Sequence, residues 1–438
     1  MAVTPPSFWP QSGLWPGADR RRKVRGVSHD DQQSDPLSAG DPEVAAWLER
    51  EDARQRGTLT LIASENHCSP AVRAACSSRI TDKYAEGYPG RRYYAGCEAA
   101  DGVEELARRR AIELFGAEAA NVQPHSGTTA NVAALLALAG PGGRIVGMAL
   151  DAGGHLTHGY PKSHTGMVFD ARQYGVDDDG LIDFDAVRKV VLEHRPKVLI
   201  AGGSSYCRKL DYTTFAAIAK EAGALLMADI AHPAGLMAGG ILPSPVGIAD
   251  VVTMTTHKTL RGPRGGMILA TKELIKQINS SVFPGAQGGP LMHQIAGKAV
   301  AFGEALRPEF KTYQQRVADN AGWLASCLVE HGLDLVTGGT DNHIVLVDLR
   351  RTSMTGADVE ERALAAGLAV NKNAIPRDPR PPMVTSGLRI GTPAVTTRGF
   401  GRDQIKAIAD IIAGLVRGED PDRFRGIVQE LCAAHPLP

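Results

Sequence analysis

The chain has 438 residues, with 48 basic and 48 acidic side chains and a formal net charge of zero. Its 43% hydrophobic and 22% charged content is typical of a globular protein with a large core. The neutral balance argues against nucleic acid or a membrane surface as a partner. The six cysteines form no C-x-x-C pair and fit no zinc site, which predicts free thiols, no metal and a cytoplasmic location. No apolar run approaches the about 20 residues that span a bilayer.

The first forty residues are rich in Pro, Gly, Ser, Asp and Arg and lack the apolar segment of a secretory signal. A basic run at 20–25 could bind nucleic acid, but such runs are more often solvated tails. Asp41, Pro42 and Glu43 then form a helix-start pattern. We expect a disordered extension over 1–40, an N-terminal arm over 41–70, a large α/β domain over 71–305 and a smaller α+β domain over 306–438.

Apolar runs alternate with helical patterns through the middle of the chain, and a helical region with a break near Pro308 follows. This alternation predicts an α/β domain around a mainly parallel sheet. Strands are predicted at 144–148, 197–201, 224–228, 249–254 and 344–349. Helices are predicted at 103–115, 132–138, 215–221, 294–330, 357–366 and 404–416.

Residues 81–98 break this regular pattern, because they combine Gly and Pro with four tyrosines and two arginines. Gly and Pro interrupt both helices and central strands. A long irregular loop of this kind usually carries function or an interface.

The strongest chemical signal is the run from Thr255 to Gly266 around Lys258. Lys258 follows an apolar strand and precedes a Gly/Pro/Arg-rich turn. A desolvated amine close to other cations has a lowered pKa and suits Schiff-base chemistry. Asp229 also ends a predicted strand, so both side chains should face the crevice where open α/β sheets bind ligands. This pair is expected for pyridoxal phosphate, although Asp229 alone could be a helix N-cap.

Three weaker signals support a ligand site at the same edge of the sheet. The sequence Ser126-Gly127-Thr128 lies between a strand and a helix, where backbone amides can bind phosphate. His155 lies in a Gly-rich loop and could stack on an aromatic cofactor. Arg389 follows a turn and could bind a carboxylate through two hydrogen bonds. Each residue taken alone is more often structural.

With these residues in place, the sequence resembles the serine hydroxymethyltransferase family from about Asp41 to its end. The resemblance implies a fold-type I, aspartate aminotransferase-like enzyme that uses pyridoxal 5'-phosphate and tetrahydrofolate. It also implies a homodimer or homotetramer with shared active sites. The matching stretches, in order, are Leu61–Asn66, Lys83–Glu98, Gln123–Asn131, Gly153–Gly159, Asp229–Leu236, Thr255–Gly266, Phe283–His293, Gly338–His343, Val370–Pro376 and Thr385–Pro393.

The resemblance assigns the cofactor contacts residue by residue. Lys258 would form the Schiff base, Asp229 would pair with the pyridine nitrogen and His155 would stack on the ring. The residues implied for the phosphate are Ser126, Gly127, Thr128, His257 and, from the partner subunit, Gly289. Those implied near the phenolic oxygen are His232 and Ser204.

The resemblance also assigns the substrate contacts. The implied carboxylate ligands are Arg389 and Ser64, and the implied pterin contacts are Leu150, Gly154, Leu156 and Asn373. The residues expected from the partner are Tyr84, Glu86 and Tyr94. Glu86 would handle protons at the serine hydroxyl and near the folate, although it could instead form an interface ion pair with Arg91 or Arg92.

Several positions depart from the usual pattern of the family: Thr129, Asp151, Ala152, Cys207, Arg208 and Pro233. The expected reaction is the reversible conversion of L-serine and tetrahydrofolate to glycine and 5,10-methylenetetrahydrofolate. A relative with the same core but another substrate stays open, namely an α-methylserine hydroxymethyltransferase, a threonine aldolase or a threonine transaldolase. A noncatalytic RNA-binding role on this scaffold is disfavoured by the intact Lys258 and the neutral charge.

Overall fold

In a computed structural model of the protein, the structure is described for residues 36–438. The described residues fall into two compact units, which divide after Asp52. Two helices, Pro36–Gly40 and Pro42–Gly57, begin in the first unit. The second starts as its sequence predicts, and the backbone N–H of Val44 donates to Asp41 Oδ1 at 3.1 Å. The basic run at 20–25 lies outside the described residues, as does the predicted extension up to residue 35.

The second unit is built around a seven-stranded, mostly parallel sheet, which confirms the predicted α/β class. The strand Gly266–Ala270 runs antiparallel to both of its neighbours, and the remaining pairs are parallel. The spatial order is Ala119–Asn121, Gly266–Ala270, Val251–Thr255, Leu225–Asp229, Val198–Gly202, Arg144–Met148 and Asp170–Tyr174.

Both faces of the inner strands, such as Val198–Gly202, are buried, which explains their uninterrupted apolar runs. Leu199 packs in one hydrophobic cluster, while its neighbours Val198 and Ile200 pack in another on the opposite face. Side chains alternate across a strand, so a strand covered on both faces must be apolar throughout. The helices of this region are Pro70–Cys76, Glu98–Phe115, Gly127–Leu138, His164–Val168, Phe184–His194, Tyr212–Ala222, Ala234–Ala238, Ile275–Ser280 and Met292–Ala305.

A second, four-stranded antiparallel sheet follows in the C-terminal part. Its strands, in spatial order, are Asp334–Leu335, Ile344–Asp348, Gly387–Gly391 and Asn371–Asn373. It shares a separate hydrophobic cluster with the helices Pro308–Glu330, Gly356–Ala366, Arg402–Val416 and Asp422–Ala434. The short strand Leu59–Thr60 pairs with Leu368–Ala369. The domain boundaries at residues 70 and 305 stay predictions.

The carboxyl ends of the central strands position the candidate site. Asp229 is the last residue of its strand, and the chain leaves the next strand at Thr255, three residues before Lys258. The segment 81–98 begins with the end of a short 3-10 helix, Arg79–Asp82. Before the helix that starts at Glu98, it contains one further element, a short hairpin that pairs Gly87–Tyr88 with Arg91–Arg92. Among residues 36–438, no helix has the length and apolar character that crossing a membrane requires.

Candidate active site

A cavity of about 590 Å³ opens at the carboxyl ends of the parallel strands. Fifteen of the residues expected at the site line it, although they come from distant parts of the chain. They are Ser64, Ser126, Gly127, Thr128, Leu150, Gly154, His155, Leu156, Ser204, Asp229, His232, His257, Lys258, Asn373 and Arg389.

Lys258 lies at the base of this cavity and is 8% exposed. The pKa of its amine is lowered to about 8, mainly by burial; the charge of Asp229 opposes the shift, and those of Arg389 and Arg264 contribute to it. Its backbone is held separately, because Asn66 Nδ2 donates to the Lys258 carbonyl at 3.0 Å. A fixed amine with a lowered pKa reaches its nucleophilic free-base form near neutral pH.

The Asp229 carboxylate receives three hydrogen bonds inside the protein. The backbone N–H of Ala231 donates to Oδ1 at 3.0 Å, and Asn131 Nδ2 donates to Oδ2 at 2.8 Å. His158 Nε2 lies 2.9 Å from the same Oδ2. Burial alone would raise the pKa of Asp229, but His158, His155 and Asn131 hold it well below its usual value. A carboxylate offers about four acceptor positions, so one is left for a donor in the cavity.

Two observations on Asp229 go beyond the sequence analysis. The N-cap of the following helix is Pro233, which excludes the alternative that Asp229 caps this helix. Its partners Asn131 and His158 were not predicted as site residues. His158 is fully buried and follows His155 by one helical turn, and a search for a second imidazole at that spacing would have found it.

The two histidines predicted beside the cofactor are neutral in this structure. Burial lowers the pKa of His155 to about 4. Its Nδ1 accepts from the backbone N–H of Thr157 at 3.2 Å, which fixes the ring and places its proton on Nε2. Burial also lowers the pKa of His232, whose Nδ1 lies 3.2 Å from Nε2 of the stacked His343. Neutral rings held in this way can stack on an aromatic ligand or form a hydrogen bond to it without adding charge to the cavity.

The start of the helix Gly127–Leu138 forms the anion-binding end of the cavity. Ser126 caps this helix, and its hydroxyl accepts from the backbone N–H of Thr129 at 3.0 Å. The Ser126 carbonyl accepts from Ala130, which leaves the amides of Gly127 and Thr128 for a ligand. Oriented amides at a helix N-terminus bind phosphate groups well.

His257 lies beside this helix start and lines the same cavity. Burial lowers its pKa to about 3, and the charges of Arg264 and Lys258 act in the same direction. Its Nδ1 accepts weakly from the backbone N–H of Gly265 at 3.4 Å, so the neutral ring can donate through Nε2.

Arg389 supplies a cation at the opposite end of the cavity. Burial lowers its pKa to about 10, so the guanidinium stays charged at neutral pH. It donates from Nη1 to the Ser204 carbonyl at 2.9 Å and from Nε to Asn371 Oδ1 at 3.2 Å. These bonds fix the plane of the group and leave Nη2 available for a carboxylate.

The other four predicted residues form a separate cluster outside this cavity. Tyr84 and Tyr94 meet edge to face with their ring centroids 5.0 Å apart, and each is about half exposed. The Tyr84 hydroxyl donates to Glu86 Oε1 at 3.3 Å, and the charge of Glu86 raises the pKa of Tyr84. A Cβ on Gly289 would lie 3.1 Å from Tyr84 Cζ, so a larger residue there would require the Tyr84 ring to shift slightly. The chain therefore carries its predicted residues as two sets.

Arg92 is not the ion-pair partner of Glu86 that was considered as an alternative. Its Nη2 donates to Glu104 at 2.7 Å and its Nε to Asp101 at 2.8 Å. Its Nη1 donates to the carbonyls of Ala85 and Gly87, both at 2.9 Å. Arg92 thus holds the carbonyls on both sides of Glu86, while the Glu86 carboxylate accepts from Tyr84. The alternative ion pair with Arg91 across an interface stays open.

Comparison with known proteins identifies the family. The sequence model of serine hydroxymethyltransferase matches residues 37–412. The chain belongs to the serine hydroxymethyltransferase family. Both sets of residues, in the cavity and around Tyr84, lie within the matched region.

Three curated serine hydroxymethyltransferases show the extent of the similarity. The chain is 55% identical to that of Sphingopyxis alaskensis over 416 residues, which cover 92% of this chain and 96% of the relative. It is 57% identical to that of Rhizorhabdus wittichii over 413 residues, covering 92% and 94%. It is 55% identical to that of Acidiphilium cryptum over 414 residues, covering 92% and 96%. The similarity therefore extends over nearly the whole length of these relatives.

Proposed function

We propose that the chain catalyses the reversible conversion of L-serine and tetrahydrofolate to glycine and 5,10-methylenetetrahydrofolate with pyridoxal 5'-phosphate as cofactor. The observation that carries the proposal is the buried Lys258 amine, which shares one cavity with the ionised Asp229 in a member of this family. The names of the relatives favour this reaction over the aldolase, transaldolase and α-methylserine alternatives. We also propose the fold-type I class and a cytoplasmic location.

The donors and acceptors of the cavity fit this cofactor. Lys258 offers an amine for its aldehyde, Asp229 has an acceptor position for a protonated ring nitrogen, and the neutral His155 offers a flat face. The helix-start amides and Ser126 fit a phosphate, with His257 as a further donor. When bound, pyridoxal phosphate supplies an electron sink for the bond that breaks at the substrate Cα.

The residues at the other end of the cavity fit the amino acid and the folate. Arg389 would hold the carboxylate with its free Nη2, and Ser64 lines the same region. Leu150 and Leu156 are 39% and 45% exposed on the wall of the cavity, where an aromatic pterin could cover them. Asn373, also on the wall, would add a polar contact. His232 and Ser204 would lie near the phenolic oxygen.

The exposed cluster fits a site that is shared between two copies of the chain. Tyr84, Glu86, Tyr94 and Gly289 do not line the cavity of their own chain, and the tyrosine pair is open to solvent. We propose a homodimer, alone or within a tetramer, in which this cluster completes the cavity of the second copy. Glu86 would then accept the proton of the serine hydroxyl as the carbon–carbon bond breaks and return it in the reverse direction.

Spectroscopy of the purified protein with glycine tests the proposal. We expect a long-wavelength absorbance band that grows strongly only when tetrahydrofolate is added. Lys258→Ala should abolish the cofactor band and serine cleavage while leaving the fold intact by circular dichroism. Lys276→Ala, at an exposed position of the helix Ile275–Ser280, is the matched control and should behave as wild type. Wild-type turnover in Lys258→Ala would refute the assignment.

The same assay tests the role of Glu86. Glu86→Gln keeps the size of the side chain and should reduce folate-dependent serine cleavage by about 100-fold or more, which is the usual contribution of an acid–base group. Binding of glycine should change little. A band with glycine that ignores folate would instead favour the aldolase or transaldolase alternative.

A further inference from the structure

Lys298 is a fully buried lysine that the proposed mechanism does not use. It lies on the helix Met292–Ala305 and is 1% exposed. Its Nζ donates to three backbone carbonyls, those of Val122 at 2.7 Å, Pro124 at 3.0 Å and Gly266 at 2.8 Å. Three bonds need three N–H groups, so this geometry requires the charged ammonium form.

The carbonyls that Lys298 binds belong to the segment that leads into the anion-binding helix start. Residues 122–126 connect the strand Ala119–Asn121 to the helix Gly127–Leu138. The Pro124 carbonyl accepts a second bond from the backbone N–H of Gly266 at 3.0 Å. The ammonium therefore ties this segment to the neighbouring strand directly before Ser126.

The packing around Lys298 leaves little room for the segment to move. A Cβ on Gly265 would lie 2.5 Å from Lys298 Cε, and one on Gly266 would overlap the Ser126 carbonyl. Burial lowers the pKa of Lys298 to about 7, while the charge of Glu104 raises it. A cation kept at this desolvation cost, without a carboxylate in contact, calls for a specific role.

We propose that Lys298 is a positioning residue for the phosphate of the cofactor: it fixes residues 122–126 so that the amides of Gly127 and Thr128 face the phosphate. The inference rests on the proposed binding of pyridoxal phosphate. It predicts that Lys298 contributes to recognition of the phosphate group and not to recognition of the ring, which Asp229 and His155 would contact.

Comparing pyridoxal phosphate with pyridoxal, which lacks the phosphate, isolates this contribution. Full-length protein freed of cofactor is titrated with each compound. The dissociation constant of pyridoxal divided by that of pyridoxal phosphate gives the preference for phosphate. In Lys298→Met this ratio should fall by about 10- to 100-fold, as expected for the loss of hydrogen bonds to a charged group. Lys197→Met is the matched control, because Lys197 Nζ also donates to a carbonyl, that of Ala139 at 2.9 Å, away from the cavity.

The outcomes separate the two proposals. If the ratio is unchanged in Lys298→Met, whether binding of both compounds is unaffected or weakens by the same factor, the positioning role is overturned. Wild-type protein that binds neither compound would refute the proposed function itself. If Lys298→Met does not fold, Lys298→Gln keeps two N–H donors without the charge and should give a smaller fall in the same ratio. If neither variant folds, Lys298 is purely structural and the inference fails.

Discussion

Replacing Arg92 should separate the stability of the protein from its activity. The Arg92 and Glu104 side chains are only 4% and 3% exposed, so their ion pair is buried. Arg92→Met leaves the Glu104 carboxylate with Gln123 as its remaining donor, at 2.9 Å. Removing one partner of a buried pair costs about 3–5 kcal/mol, although Glu104 can relieve part of this by taking up a proton.

The double variant Arg92→Met/Glu104→Met removes both charges and should recover at least about 2 kcal/mol of that loss, because apolar replacements of buried pairs are often neutral. Activity should not recover with it. The Ala85 carbonyl still lacks its donor, and the Gly87 carbonyl, on the other side of Glu86, keeps only the Gln123 side chain. A shift of about 1 Å in a group near the reaction can cost about 100-fold in rate.

Urea unfolding and kcat/KM for serine cleavage at saturating cofactor, measured on both single variants and the double variant, give the complete cycle. Arg91→Met, at the exposed neighbouring position of the same hairpin, is the control and should change stability by less than about 0.5 kcal/mol. If activity returns together with stability in the double variant, Arg92 does not position Glu86 through these carbonyls.

Further predictions concern the helix start, a control glycine and the buried histidines. Gly266→Ala should destabilise the protein by about 1–3 kcal/mol and weaken cofactor binding, since the new methyl group overlaps the Ser126 carbonyl. Gly322→Ala, inside the helix Pro308–Glu330 with open space around it, should stabilise by about 0.5–1 kcal/mol; thermal unfolding that shifts both variants the same way would contradict this. His257 and His343 have pKa values of about 3, so between pH 6.5 and 3 the unfolded chain binds protons that the folded chain excludes. The free energy of unfolding should therefore fall as the pH drops through this range, and equal urea midpoints at pH 7 and pH 5 would refute it.

The regular elements of the sheet could be predicted where their pattern was strong. The strand Arg144–Met148 has the predicted bounds, and the helical region 294–330 breaks before Pro308 as expected. Two strands of the seven-stranded sheet are not predicted by the sequence. Asp170–Tyr174 is an edge strand with alternating polar residues, and Gly266–Ala270 follows a Gly-rich turn that reads as loop. In both cases the tertiary pairing, and not the local pattern, determines the strand.

The residues of the candidate site also differ in whether the local sequence pattern predicts them. Residues that carry chemistry, such as Lys258 and Asp229, stand at strand ends and could be found from local sequence. Apart from His158, whose spacing from His155 is a local signal, residues that act through others could not be found, because their partners are far away along the chain. Asn131 is 98 residues from Asp229, and Lys298 is 174 residues from Pro124. No local period or motif connects such pairs, so only the folded structure places them together.

The segment 122–126 shows why these supporting residues matter for a shared site. The carbonyls of this segment bind Lys298. In addition, its Gln123 side chain donates to the Gly87 carbonyl, next to Glu86, at 2.9 Å. His125 Nε2 lies 3.2 Å from the Gly289 carbonyl, beside Tyr84. One segment therefore supports both the helix start that lines the cavity and the exposed cluster of the same chain. If the cluster serves the cavity of a second copy, a displacement of this segment disturbs two sites at once. The buried charges of Lys298 and Glu104 on its two sides would resist that displacement, which gives a physical reason to keep both despite their desolvation cost.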